Sequence, residues 1–389
     1  MRRLVPLFVS FSVATSLVAC GSHTPTAPPA AGACGYDALV AVSDYTSSGV
    51  GGFTVEGAGY LSYGGLGADP ALSASNGRAF FVQRDVGQIV ELDPSCGTPL
   101  DGGVVSANGG TTRTTNPQDV AAAPDRSLWV PRYDDPSVIQ IASDGGIART
   151  VSLGSTSYDP DGNPNASAIA ILPVNGVSKA FVALEVLDDA ALPYPAPYPT
   201  HPSLVLRIDV ASGTIDGTTS LVGRNPFGLF VPYGGALWLA EPGTFDQANE
   251  SSAGVERFDP QTQTSTLVVA ETAFGASVAE VAVTSGCAAA VVADATTVNA
   301  TSLVTFDPDT GAALTTAAKP VLATSGYDLQ GMLWVGNVLL VGDRTPATGG
   351  AQRYPVHAFD RTPGDCVLTE RPDAIFLEGL PPVGFQPTP

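Results

Sequence analysis

The chain predicts an all-β fold: a seven-bladed β-propeller of four-stranded antiparallel blades, with the ring closed by a C-terminal strand that joins blade 1. Three observations carry this expectation. A three-beat unit returns along the chain with a period of roughly 50 residues, within the range of four-stranded blades. Among 389 residues, 43 are Gly and 33 are Pro while only 14% are charged, the composition that short strands joined by many turns require. Beyond residue 34 no segment sustains helical periodicity.

The first beat is a small apolar strand, often introduced by Asn-Pro or Asp-Pro. The second is a strand of bulky residues that ends in a charge. The third alternates and closes on an aromatic or aliphatic residue followed by Asp-Pro and a turn. Asp69-Pro70, Ala79 to Arg84 and Ile89 to Pro94 form one copy. Asn116-Pro117, Leu128 to Arg132 and Val138 to Ile141 form the next. Four more begin at Ala168, Asn225, Val278 and Leu329, with second beats ending at Glu185, Glu241, Asp294 and Asp343. At the start of the body, Ala38 to Ser43 and Gly52 to Val55 match a second and third beat with no first beat before them. Pro382-Val383-Gly384-Phe385 echoes Pro226-Phe227-Gly228-Leu229 and is expected to supply the missing innermost strand, removing the open edges of the ring.

Ahead of the repeats, Arg2 and Arg3 precede an apolar run from Leu4 to Val18 that is too short to span a bilayer as a helix. The run ends in Leu17-Val18-Ala19-Cys20. This resembles the lipobox of bacterial lipoproteins, which implies a signal peptide over 1–19 and a lipid on Cys20. Residues 20–33, rich in Pro, Ala, Ser and Thr, read as a lipidated N-terminus and tether before a propeller at 34–389. The implied location is the bacterial outer membrane, weakly favoured by Gly21 in place of a retention Asp.

Four cysteines then remain, an even number that suggests disulfides in an exported chain. Cys34 and Cys287 fall just before second strands, of blades 1 and 6. Cys96 and Cys366 fall in the turns after third strands, of blades 2 and 7. All four sit on one face. The spacing predicts Cys34–Cys96 and Cys287–Cys366, with Cys34–Cys366 as the competitor. No Cys-x-x-Cys pair supports a metal site.

The third-beat cadence, Phe306-Asp307-Pro308-Asp309-Thr310-Gly311 and Phe258-Asp259-Pro260-Gln261-Thr262-Gln263, resembles the YVTN/YncE-like propellers of bacterial surface and periplasmic proteins. The resemblance implies a fold that hosts many activities.

A net charge of −20 argues against nucleic-acid partners and acidic lipid surfaces, and a monomer is expected. On the face opposite the cysteines, second strands end in Ser43 or Asp44, Arg84, Arg132, Glu185, Glu241, Asp294 and Asp343, a possible mixed-charge ring about the channel. The blade 4 loop adds Tyr194 and Tyr198 among prolines, a stiff aromatic surface suited to glycan or peptide. Asp159, Asp161 and Asn163 alternate around Gly162 as in the first half of a calcium loop; without the distal Glu, an Asx-rich turn is the better reading and Ca²⁺ the weaker one. No cofactor is otherwise expected. With three histidines and no nucleophile elbow, the chain reads as a non-catalytic binding or scaffold propeller for a protein or glycan. The alternative is a metal-dependent hydrolase or lyase of the propeller lactonase type, with Glu185, Glu241 and Asp294 at the channel.

Overall fold

Seven sheets account for nearly all the secondary structure of the computed structural model, which describes residues 34–57, 59–63, 66–188, 201–244, 250–294, 300–348, 352–362 and 364–388. Within each sheet the strands run antiparallel and neighbours in sequence are neighbours in space, except in blades 1 and 7. Innermost strands of blades 2 to 7 are Pro70–Ser75, Ala121–Ala122, Ala166–Val174, Phe227–Tyr233, Ser277–Thr284 and Leu329–Val335.

Blade 1 takes its innermost strand, Pro382–Pro387, from the far end of the chain. It pairs antiparallel with Ala38–Ser43, placing Phe385 opposite Val40 and Pro382 opposite Val42. Phe385 then packs edge-on against Phe53 at 5.8 Å, and the Gln386 amide donates to the Leu72 carbonyl of blade 2 at 3.0 Å. Closure therefore follows the sequence expectation.

Burial falls from the second strand outward, and the residue types follow it. Ala38–Ser43, Leu128–Arg132, Cys287–Ala293 and Val338–Asp343 are buried along their whole length because a sheet covers each face. Outer strands such as Ile215–Ser220 alternate between half-buried and exposed. Blades 3 and 7 depart from the regular blade. In blade 3 the innermost strand shrinks to two residues plus a bridge from Pro117 to Arg132, as the Asp119 carboxylate accepts the Val120 N–H at 2.7 Å. In blade 7 the long third strand, Arg353–Arg361, pairs with two short strands, Leu368–Glu370 and Ile375–Glu378, so this sheet has five.

The repeated turn residues have specific jobs. Asn116, Asn165 and Asn225 enter their innermost strands at φ of 50°, 52° and 59°, a left-handed conformation that Asn tolerates better than most residues. At the other end of the blade, Asp93, Asp209, Asp259 and Asp307 fold back on the C-terminal turn. Asp307, for example, accepts the N–H groups of Asp309 at 2.8 Å and Thr310 at 3.1 Å. These bonds hold the Asp307 carboxyl below its ordinary range.

On the face carrying these turns, bridges cross the seams between blades. Cys34–Cys96 closes the seam between blades 1 and 2, and Cys287–Cys366 that between 6 and 7, as the spacing predicts. Arg78 donates to the Arg126 carbonyl across 2/3 at 3.0 Å, and Arg149 to Ala211 across 3/4 at 3.2 Å. Gln261 reaches Pro173 across 4/5 at 2.9 Å, and Arg371 reaches Val55 across 7/1 at 3.1 Å.

Candidate functional site at the channel mouth

The second-strand termini do lie on the face opposite the disulfides, but most are bound within the chain. Arg84 pairs with Asp69 and donates to Gln118 at 2.7 Å. Arg132 is buried against Asp135 at 2.7 Å and Ser137 at 2.7 Å. Glu185 accepts the Tyr133 hydroxyl at 2.6 Å. Asp343 accepts the Thr345 N–H at 2.7 Å and contacts His357 at 3.2 Å. Asp294 follows its strand and donates its backbone N–H to Ala300. The ring expected from the sequence is thus largely a set of loop anchors.

Glu241 is fully buried between blades 4 and 5, beside Glu256. Glu256 accepts the backbone N–H groups of Val222 and Gly223 at 2.9 and 2.6 Å. Burial first, then the charge of Glu256, push the Glu241 carboxyl far up. The described residues bring no three His, Cys, Asp or Glu side chains together as a metal-binding group. Asp159 and Asp161 accept backbone N–H groups two residues on, at 3.2 and 2.8 Å, so the segment forms the expected Asx-rich turn. Tyr194 and Tyr198 lie outside the described residues, as does Cys20.

A different group gathers where blades 6, 7 and 1 meet. Tyr45, one residue past the Ser43-Asp44 pair, has φ of 61° and is 52% exposed. A bulky residue rarely adopts that conformation without compensation. Here Ser43 Oγ accepts its N–H at 2.8 Å, and Asp44 accepts those of Thr46 and Ser47 at 2.9 and 2.8 Å. The Arg344 guanidinium lies 4.8 Å from the centre of the Tyr45 ring, and the Tyr45 hydroxyl donates to Gln330 at 3.2 Å. Arg344 also donates to the Pro382 carbonyl at 3.3 Å, so the closing strand helps position it.

Beneath this group, on the innermost strand of blade 6, Glu280 accepts the Gly331 N–H at 2.9 Å, and burial pushes its carboxyl up to about 7. Burial, then the nearby charge of Glu280, raise the Tyr327 hydroxyl well above its ordinary value. Asp119 plays a similar part on blade 3. It accepts Ser73 Oγ from blade 2 at 2.5 Å and the Ile169 N–H from blade 4 at 2.9 Å, and burial pushes it up to about 6. On blade 5, Phe227 starts its innermost strand 39% exposed, followed by Gly228 at φ 80°. The mouth therefore combines aromatic surface, the Arg344 guanidinium and proton-holding carboxyls.

The chain matches no protein-family model and no curated protein. Solved structures do match. Dihydro-heme d1 dehydrogenase NirN, in complex with DHE, aligns with a TM-score of 0.51 at 12% identity over 93% of this chain and 77% of that one. The RRP9 WD40 repeats align at 0.51 and 11% identity, over 88% and 87%. AztD from Citrobacter koseri aligns at 0.47 and 12% identity, over 90% and 98%. What they share is the propeller. At such identities the likeness speaks for the fold alone, and the first two, a dehydrogenase and a WD40 repeat protein, show how little the propeller constrains its use.

Proposed function

We propose that this protein is a lipid-anchored propeller of the bacterial envelope that recognises a protein or glycan ligand at the channel mouth, without catalysing a reaction. The observation that carries the reading is Tyr45, an exposed aromatic held at a positive φ and clamped by Arg344 and Gln330. Strain of this kind costs of order 1–3 kcal/mol and persists where the surroundings over-determine it. A rigid aromatic offers contact area at little entropic cost on binding. The anchor at Cys20 and the tether over 20–33 are part of the same proposal. Since Cys34 lies on the disulfide face, a short tether there turns the channel mouth away from the membrane.

Binding of residues 34–389 to isolated envelope material tests this, with the material intact, protease-treated or periodate-treated. We expect saturable binding that one treatment removes, which assigns the ligand class. Tyr45→Gly is expected to abolish it while folding normally, because glycine adopts φ near 61° without strain. Equal binding by the variant would remove the channel mouth from consideration. For the anchor, Cys20→Ser in the full chain should release the protein from membranes.

A further inference from the structure

The bridges that close the blade seams on the disulfide face have one exception. Between blades 5 and 6, no side-chain hydrogen bond, ion pair or disulfide crosses that face among the described residues. A cavity of about 430 Å³ stands there instead. Its wall is a cross-strand row of blade 5, Trp238 opposite Arg257 opposite Thr266, and its far side includes Ser285 and Asp309 of blade 6. The volume lies within the range of small-molecule sites.

Two residues that line this cavity, Arg257 and Trp238, carry donors without a hydrogen-bond partner among the described residues. In blade 3 the equivalent row is Trp129–Gln140–Arg149, and there Arg149 spans the seam to Ala211. In blade 5 the guanidinium has moved to the middle strand. Arg257 is exposed, lies 5.9 Å from the centre of the Trp238 ring, and feels the charge of Asp259 on its own strand, but among the described residues it makes no hydrogen bond and no close ion pair. Asp259, the nearest acid along its strand, already accepts the Gln261 and Thr262 N–H groups at 2.7 and 3.2 Å. Trp238 is 97% buried by its 3% exposure, and its indole N–H has no partner. Trp129 and Trp334 share that unpaired N–H, so it decides nothing; the exposed Arg257 guanidinium at the cavity, with no hydrogen-bond partner among the described residues, does.

We propose that the cavity between blades 5 and 6 binds a sugar acid, a single uronate residue, with its carboxylate on Arg257. A guanidinium presents paired donors that fit a carboxylate, and the contact is charge-assisted. The hydroxyl groups of such a ligand match the Thr266 and Ser285 hydroxyls and the exposed Asp309 carboxylate, which accepts hydrogen bonds from a sugar. This site lies on the face opposite the channel mouth and stands independently of it.

Titration of residues 34–389 with D-glucuronate and D-galacturonate, followed by calorimetry and by tryptophan fluorescence, tests the proposal. We expect saturable binding of at least one uronate, weakened about tenfold or more by Arg257→Met and also reduced by Thr266→Val. Methyl glucoside, which lacks the carboxylate, should bind far more weakly. Thermal melts of Arg257→Met matching the wild type show that the loss is local, and Tyr45→Gly should leave uronate binding unchanged. Failure of both uronates to bind, equal binding by Arg257→Met, or equal binding of inorganic phosphate would each overturn it.

Discussion

Individual side chains set the sharpest expectations. His357 sits between Asp343 at 3.2 Å and Glu370 at 2.6 Å in three adjacent strands of blade 7. Burial pulls its pKa down, but the two carboxylates outweigh this and raise it. A raised folded-state pKa means the clamp stabilises fully below the unfolded value near 6.5 and is lost as pH rises through the folded value. His357→Gln should therefore lower the melting temperature more at pH 5.5 than at pH 8, and an equal gap at both would contradict the clamp. Gly223 gives a steric counterpart. A Cβ there would lie 1.5 Å from Glu241 Oε2, whereas at Gly384 it meets nothing within 4 Å. Gly223→Ala should cost about 2–3 kcal/mol in denaturant unfolding, and Gly384→Ala far less. Little of this could be read ahead of the structure. The sequence marks Ser43, Asp44 and Asp343 as strand ends, but whether such a group faces solvent or caps a loop depends on neighbours from other blades. Tyr45 carried no periodic signal because it lies one residue past the repeat.

At the level of strands and turns the sequence is more legible. Second and third beats are plain because their side chains meet packed sheets, so the apolar pattern is strong. Fourth strands such as Pro99–Ser106 left no beat, since they are exposed along much of their length and burial does not constrain them. The Gly of the first beat recurs at Gly228 and Gly384; at Gly331 the structure supplies its meaning. The register slips between Leu329 and Met332, Gly331 takes φ of 80°, and its N–H is freed for Glu280. The cysteines were placed by the same blade alignment, and both pairs form. Each closes a long stretch, with sequence separations of 62 and 79. Replacing either pair by Ala should cost about 4 kcal/mol on the chain-entropy view, and non-reducing mapping plus denaturant titration would measure it. A loss below about 1 kcal/mol would mean that packing alone holds those seams.

The whole molecule should prefer mildly acid conditions. Asp119, Glu280 and Glu241 all hold protons more tightly when folded than unfolded, each chiefly through burial. Raised carboxyl pKa values make stability fall as pH rises from about 4 to about 7, the same direction as His357. The charge of −20 adds self-repulsion at high pH. Melting temperatures should thus be higher near pH 5 than near pH 8; the reverse order would contradict the dominance of these buried carboxyls, because carboxylates of lowered pKa change their contribution only below about pH 5.

The strand Pro382–Pro387 has a further effect, on the order of events. Ala38–Ser43 is among the first strands of the body to emerge in synthesis, yet one of its two partners is the last strand of the ring. Until then a fully buried apolar strand has an open edge, and the loop to be closed spans nearly the entire domain. Such non-local pairing folds slowly. The chain would therefore stay open until its tail arrived. A variant lacking residues 382–388 should stay in that waiting state, readily cut by protease, and a synthetic peptide of those residues should rescue it by strand addition.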